Sequence, residues 1–189
     1  NTVRLPAGVG DKGGTLRRTR WMALVLTTVL AMSATTAIAA AQGGDEKPEA
    51  TEVGITADEI RIAVIADVEN PLAPGLFAGA PKGVEGWAKN INKNGGLAGR
   101  KVVVDFIDSH LSADDSRNAF IKACSEDFAV VGAAALFLNN VDDMVACKDI
   151  KGVATGLPDI PFTTTEVVHQ CSPVSYPINP SVLDCATKD

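Results

Sequence analysis

Short apolar, β-branched runs alternate with helix-length amphipathic stretches between residues 59 and 163, and this alternation constrains the fold more than any other feature. The first run, Glu59 to Asp67, is wholly apolar from Ile62 to Ala66, as expected of a strand covered on both faces. Lys101 to Asp108 and Phe128 to Gly132 predict two further strands. Strands that alternate with helices in this way are typical of a parallel sheet.

Helices are predicted between these strands. The first begins near Pro81, since proline is tolerated in a first helical turn. It ends at Asn94-Gly95-Gly96, because glycine readily adopts the left-handed conformation at a helix C-terminus. Ser112 is expected to cap the second helix, with Asp115 at the spacing of a capping box.

The last part of the predicted domain is less regular. Asn139 or Asn140 is expected to cap a short third helix. Val153-Ala154 and Ile160 to Thr163 predict fourth and fifth strands, and only loop is expected beyond Val167. The predicted fold class is α/β, an open parallel sheet with helices on both faces.

In such a sheet, ligands bind beyond the carboxyl ends of the strands. Three segments are expected to converge there, namely Val68 to Gly75, Gly132 to Asn140 and Thr163 to Glu166. The glycine-rich stretch from Gly95 to Gly99 does not indicate a dinucleotide site. It follows a helix and precedes a strand, whereas the dinucleotide fingerprint has the opposite order.

The N-terminal part differs from the rest of the chain in charge. Residues 1–22 carry five basic side chains and one acidic side chain, although the whole chain has a net charge of −6. A largely apolar stretch from Trp21 to Met32 follows, and then two A-x-A sites at Ala37-Ile38-Ala39 and Ala39-Ala40-Ala41. A basic start, a short apolar core and small residues at a cleavage site are the parts of a secretory signal peptide.

We therefore expect a signal peptide at 22–41, preceded by an N-terminal extension at 1–21 with the true start at Met22 or upstream. Residues 42–57 are interpreted as an exposed linker, and the folded unit is expected to begin near Asp58. The alternative is a retained membrane anchor, although the apolar core is shorter than the ~20 residues that cross a bilayer.

The chain has four cysteines and two histidines. No CxxC pair is present and the histidines complete no zinc spacing, so neither a metal site nor a cofactor is predicted. An even cysteine count in an exported chain suggests disulfides. Three pairings are possible, with free buried thiols as the alternative. The sequential pairing is favoured, since short loops close most easily, and it joins Cys124 to Cys147 and Cys171 to Cys185.

Several motifs occur in an order and spacing shared with one known family. Gly83 to Asn92 reads GVEGWAKNIN and Gly95 to Val102 reads GGLAGRKV, with supporting matches at Ile55-Thr56, Ile60 to Ala63 and Ser112 to Asp114. Together they resemble the type I solute-binding proteins of ABC importers, in particular the branched-chain amino acid (leucine-binding) family. The resemblance covers about residues 54–165. It implies a periplasmic binding protein-like I fold, whose members close two lobes over one solute, and residues 58–189 are expected to form only the N-terminal lobe, so that the binding domain is truncated.

The resemblance also implies a function. Such a protein is secreted or periplasmic after leader cleavage, acts as a monomer without a cofactor, binds a small-molecule solute without altering it, and delivers it to an ABC permease. The implied first-lobe ligand contacts lie in the three convergent loops, at Asn70, Leu72, Ala133, Ala134, Ala135, Leu136, Thr163 and Thr164. A Cys124–Cys147 bridge would resemble the single disulfide found in some family members.

The loop after the third strand departs from the pattern of amino-acid binders. It lacks their Gly-Pro and hydroxyl residues, and Asp142 and Asp143 in the next helix already compensate the helix dipole. A neutral, apolar or amide-bearing solute is therefore expected as readily as an amino acid.

Two other functions remain open from the sequence, the ligand-sensing domain of a receptor and a doubly wound hydrolytic enzyme. The enzyme is disfavoured because no G-x-S-x-G elbow occurs. Asp105 and Asp108 lie an odd number of residues apart and should face opposite sides of a strand. The remaining candidate groups form no recognisable arrangement, and they are Ser109, His110, Asp114, Asp115 and His169. The acidic composition gives no electrostatic case for nucleic-acid binding.

Overall fold

The computed structural model describes residues 49–179 and Cys185, and the leader predicted at 1–41 lies outside this part of the chain. Strands and helices alternate strictly along it as β1 (Glu59–Ala66), α1 (Gly79–Lys93), β2 (Lys101–Asp108), α2 (Ala113–Glu126), β3 (Ala129–Val131), α3 (Asp142–Val145), β4 (Asp159–Ile160) and α4 (Val167–Gln170). The strands form one parallel sheet in the order β2-β1-β3-β4. The predicted α/β class with an open parallel sheet is confirmed.

The central strand β1 is covered on both faces. Ile60 and Ile62 pack with Ala88 of α1 on one face, whereas Ala63 and Ile65 pack on the other face with the apolar side of α2. Alternate residues of a strand point to opposite faces, so a wholly apolar run is what a strand between two helical layers requires. The long helices α1 and α2 therefore lie on opposite sides of the sheet, as predicted.

Local signals set the ends of these helices. The Ser112 hydroxyl accepts a hydrogen bond from the Asp115 N–H at 3.2 Å, which confirms the predicted cap of α2. Helix α1 ends at Lys93, and Gly95 and Gly96 follow with φ angles of 96° and 80°. It starts at Gly79, two residues before the predicted Pro81.

Gly96 is required by a close backbone approach as well as by its positive φ. A Cβ atom at this position would overlap the Arg100 carbonyl oxygen, whereas a Cβ at Gly99 (φ 76°) would meet no atom within 4 Å. We expect Gly96→Ala to lower the free energy of unfolding by roughly 2 kcal/mol or more. Gly99→Ala should cost only the left-handed penalty of about 1 kcal/mol. Urea denaturation of both variants tests this, and equal losses would contradict it.

The predicted strand at Val153-Ala154 is wrong. Ala154 makes only an isolated antiparallel bridge to Lys148. The segment is instead a local turn, because the Asp149 carboxylate accepts hydrogen bonds from the N–H groups of Lys151 and Val153. The strand predicted as the fifth, at Ile160 to Thr163, is thus the fourth, β4, and it covers only Asp159–Ile160.

The prediction of loop alone beyond Val167 is also wrong, since α4 occupies Val167–Gln170. This short helix is held by His169, which is buried edge-on against Phe120 of α2. The predicted cap of the third helix is displaced by one residue, because Val141 occupies the N-cap position of α3. The Asn140 side chain, one residue earlier, still accepts a hydrogen bond from the N–H of Asp142, the first helical residue.

The segment predicted as the end of an exposed linker is partly packed. Ile55 forms an antiparallel bridge with Ile60 and lies against the core on the α1 side. Ordered packing in the described chain therefore begins a few residues before Asp58. Residues 42–48 of the predicted linker lie outside the described residues.

Both predicted disulfides are present, Cys124–Cys147 and Cys171–Cys185. The first joins α2 to the segment after α3, and the second ties the end of α4 to the C-terminal region. Two disulfides are typical of a secreted or extracellular protein. Within residues 49–179, none of the helices has the length and apolar character that crossing a bilayer demands.

Candidate functional site

The loops at the carboxyl edge of the sheet are tied together by one buried carboxylate, Asp67. Its Oδ1 accepts hydrogen bonds from the Ser109 hydroxyl (2.6 Å) and the Leu111 N–H (2.7 Å), and its Oδ2 accepts one from the Leu136 N–H (2.8 Å). Asp67 is fully buried. The loops after β1, β2 and β3 therefore share one anchor, which fixes their relative positions.

A second carboxylate, Asp108, holds the beginning of the loop after β1. It accepts hydrogen bonds from the N–H groups of Val68, Glu69 and His110 at 2.8–3.1 Å. Burial acts to raise the pKa of Asp108, but these three hydrogen bonds outweigh it and lower the pKa below its ordinary value. Asp108 is thus a structural anion at neutral pH.

An apolar pocket of about 420 Å³ opens at this edge of the sheet. It lies between the first two turns of α1 and the ends of β3 and β4, and it is lined by Leu76, Phe77, Gly79, Ala80, Gly83, Val84, Gly132, Phe162 and Ile178. The chain runs from β1 outward to β2 and then returns across β1 to β3. The pocket therefore lies at the topological switch point, where open α/β sheets bind ligands.

The structure brings the three predicted loops to this edge. Ala66 at the end of β1 bridges Ala134, the Phe162 N–H donates to the Ala133 carbonyl at 2.9 Å, and the Thr165 hydroxyl donates to the Leu136 carbonyl. Convergence of the segments after β1, β3 and β4 is therefore a property of the fold.

The eight predicted contact residues are not among the residues that line the pocket. Ala133, Ala134 and Ala135 are buried, and Leu72 is 82% exposed. Asn70 is buried with its amide bonded to both backbone groups of Ala73. The other three are half-buried, namely Leu136, Thr163 and Thr164. Contact of these residues with a solute stays a prediction.

The sequence interpretation missed the anchor and most of the lining. Asp67 carried a usable signal, since an acidic residue directly after a wholly apolar strand lies at the ligand-binding edge of the sheet. Phe162 directly precedes the predicted contact Thr163, and Phe77 lies a few residues after Leu72, so the prediction was close to both in sequence. Gly83 and Ile178 carried no signal for a pocket, because their convergence depends on how α1 and the C-terminal segment pack.

One cluster at this edge has the composition of a metal site. Single ligand atoms of Glu69, Asp108 and His110 lie within 4.8 Å of one another. Both Asp108 oxygens already accept backbone hydrogen bonds, and the His110 imidazole lies 3.5 Å from the Asp115 carboxylate. These contacts explain the cluster as loop structure, and we assign no ion to it.

A pair of acidic residues lies away from this edge, the buried Asp127 at the C-terminal end of α2 and the half-buried Asp105 on β2. Asp127 is 1% exposed, and neither of its oxygens receives a hydrogen bond from an N–H or hydroxyl donor. Burial, followed by the hydrogen bond and charge of Asp105, raises the pKa of Asp127 to about 7. Asp105 in turn lies 2.6 Å from the Arg61 guanidinium. When Asp127 is protonated, its carboxyl group can donate a hydrogen bond to Asp105, which gives a role to a buried group that otherwise has no partner.

The candidate catalytic groups lie in different places. The Ser109 hydroxyl donates to Asp67, and the His110 imidazole lies beside the Asp115 carboxylate. Asp108 accepts hydrogen bonds from the backbone of the loop after β1, whereas Asp105 interacts with Asp127. The predicted separation of Asp105 from Asp108 is thus confirmed.

His169 is buried with its Nε2 2.7 Å from Asp159. The nearby Ser175 hydroxyl donates to this same carboxylate oxygen at 3.2 Å. A Ser-His-Asp triad needs the hydroxyl on the imidazole, whereas here both groups converge on Asp159. The cluster anchors α4 and the following segment to β4.

The carboxyl edge is thus a set of rigidly tied loops beside an apolar pocket, with its charged groups occupied in holding the loops. The chain matches no protein-family model and no curated protein.

Proposed function

We propose that this protein is an extracytoplasmic solute-binding protein that holds a small molecule at the carboxyl edge of its sheet and presents it to an ABC-type permease. The observation that carries the proposal is the pocket at the switch point between β1 and β3. Its volume falls within the range of small-molecule sites, and it is concave and mainly apolar, as such sites usually are.

The organisation of the edge supports binding. The carboxylates of Asp67 and Asp108 accept hydrogen bonds from backbone N–H groups of the surrounding loops. Loops fixed in this way keep the pocket walls in place before a solute arrives, which lowers the entropic cost of binding. The motifs from Gly83 to Val102 that resemble the solute-binding family provide part of the same wall, because Gly83 and Val84 line the pocket.

The proposed location rests on two features. The two disulfides suit an oxidising compartment, and the basic, apolar and small-residue pattern of residues 1–41 supports export through a signal peptide. The permease partner rests on the resemblance of the motifs between Gly83 and Val102 to the solute-binding proteins of ABC importers.

Equilibrium dialysis of the full chain against a mixture of amino acids, amides, alcohols and short organic acids tests the proposal. We expect saturable uptake of one molecule per chain, recovered chemically unchanged when the protein is denatured and the released solute is identified by mass spectrometry. Recovery of a hydrolysed product would favour the enzyme. Uptake of no solute at millimolar concentration would overturn the proposal.

A further inference from the structure

The lining of the pocket at the switch point determines which solutes it can take. Among the described residues that line it, no side chain is charged and none carries a polar group. Phe162 and Ile178 are 52% and 65% exposed, so large apolar surfaces face open space there. A charged group placed among them would lose its hydration without gaining a partner, which costs several kcal/mol.

Four backbone donors in the loops beside the pocket are already in use. The N–H groups of Ala134 and Leu136 donate to the Ile65 carbonyl and the Asp67 carboxylate, both at 2.8 Å. The N–H groups of Phe162 and Thr163 both donate to the Ala133 carbonyl. The loops after β3 and β4 therefore have these four donors committed, and they are not free to hold a carboxylate.

The first turn of α1 is also poorly equipped to bind an anion. Pro81 has no N–H, and the Ala80 N–H donates to the Phe77 carbonyl at 2.9 Å. Anion sites at helix N-termini depend on several free N–H groups that point at the ligand. The helix that forms one wall of the pocket thus contributes mainly its glycine and alanine surface.

We infer that the solute of this pocket is uncharged and mainly apolar, such as a monocyclic or short branched alcohol or amide, and that free amino acids and organic acids are excluded. This inference rests on the proposed function, and it selects among the solute classes that the sequence left open. The selection follows from the apolar side chains of the described lining and from the four loop donors that are already committed.

Glycines on α1 provide a matched pair of variants. A Cβ at Gly83, which lines the pocket, and a Cβ at Gly86, which does not, would each meet no atom within 4 Å. Gly83→Leu should fill the pocket, whereas Gly86→Leu adds the same side chain one turn away. Both replace glycine in a helix by a better helix former, so neither should lower stability.

The experiment uses NMR to follow the backbone amide resonances of Gly132 and Phe162 in the full-length protein. The protein is titrated with two pairs of probes of similar shape. The neutral probes are benzyl alcohol and isovaleramide, and the anionic ones are benzoate and isovalerate. We expect saturable shifts with the neutral probes and affinity at least about tenfold weaker for the anions. Gly83→Leu should abolish the shifts, and Gly86→Leu should retain them.

The outcomes separate the solute class from the site. If the anions bind as tightly as the neutral probes and Gly83→Leu abolishes both, the inference about solute class is overturned while the proposed function stands. If no probe shifts the two resonances, or Gly83→Leu leaves the shifts unchanged, the pocket is not the site and the inference falls with it. The dialysis experiment then still tests solute binding elsewhere on the protein.

Discussion

Asp67→Ala is expected to lower the free energy of unfolding by roughly 3–5 kcal/mol. The substitution leaves the Ser109 hydroxyl and the N–H groups of Leu111 and Leu136 without their acceptor in a buried setting. Hydrogen bonds to a charged group contribute more than neutral ones, and an unpaired buried donor bears its full desolvation cost. Urea denaturation followed by circular dichroism measures the loss.

Asp149→Ala is the matched control for this variant. Asp149 also accepts hydrogen bonds from two backbone N–H groups, those of Lys151 and Val153, but these groups lie in an exposed turn within four residues of it. Water can replace that acceptor, so we expect a loss of about 1 kcal/mol or less. Comparable losses in the two variants would show that Asp67 does not join the loops as the hydrogen bonds indicate.

If Asp67→Ala folds, its effect on binding provides a second measurement. The loops after β1, β2 and β3 lose their common anchor, and the pocket beside them should bind neutral probes more weakly than in the wild type. If Asp67→Ala does not fold, Asp67→Asn keeps one acceptor oxygen and should give a smaller loss in the same direction.

The Asp105–Asp127 pair should make the protein less stable as the pH rises. The pKa of Asp127 is about 7 in the folded state against an ordinary value of 3.8, so the folded state binds a proton that the unfolded chain releases. The free energy of unfolding should therefore fall between about pH 4 and 7 and level off above that range. A shift of this size corresponds to a loss of roughly 2–4 kcal/mol.

Asp127→Asn should remove this loss, because an amide can donate to Asp105 as the protonated acid does and carries no charge at any pH. We expect the variant to be more stable than the wild type at pH 8 by roughly 2–4 kcal/mol and about equal to it at pH 4. Chemical denaturation across this pH range tests it. A variant that is less stable than the wild type at pH 8 would contradict the raised pKa of Asp127.

Asp108→Asn is the control with the opposite sign. The pKa of Asp108 is lowered in the folded state, so its contribution to stability is present at neutral pH and disappears as the pH falls through the folded pKa. This variant should be less stable than the wild type at pH 7 and approach it in acid. Opposite pH dependences in the two variants would show that the two carboxylates lie in different environments.

Much of the secondary structure followed from local signals in the sequence. The apolar run from Ile62 to Ala66 predicted a central strand, because a strand between two helical layers is buried on both faces. Ser112 and Gly95-Gly96 predicted helix ends, since capping and positive φ depend on neighbours within a few residues. Short segments were the weak point, because two apolar residues at Val153-Ala154 cannot distinguish a strand from a turn held by Asp149.

By itself, the sequence determined the parallel α/β sheet, the C-terminal end of α1, the N-terminal cap of α2 and the pairing of its cysteines, because each depends on periodicity, local hydrogen bonds or short loops. Only the tertiary structure decided what the carboxyl edge can do. Asp67 meets Leu136 across 69 residues, and the pocket combines α1, the ends of β3 and β4, and Ile178. Contacts over such separations depend on how whole elements pack, and no local pattern encodes which side chains remain to face the open space.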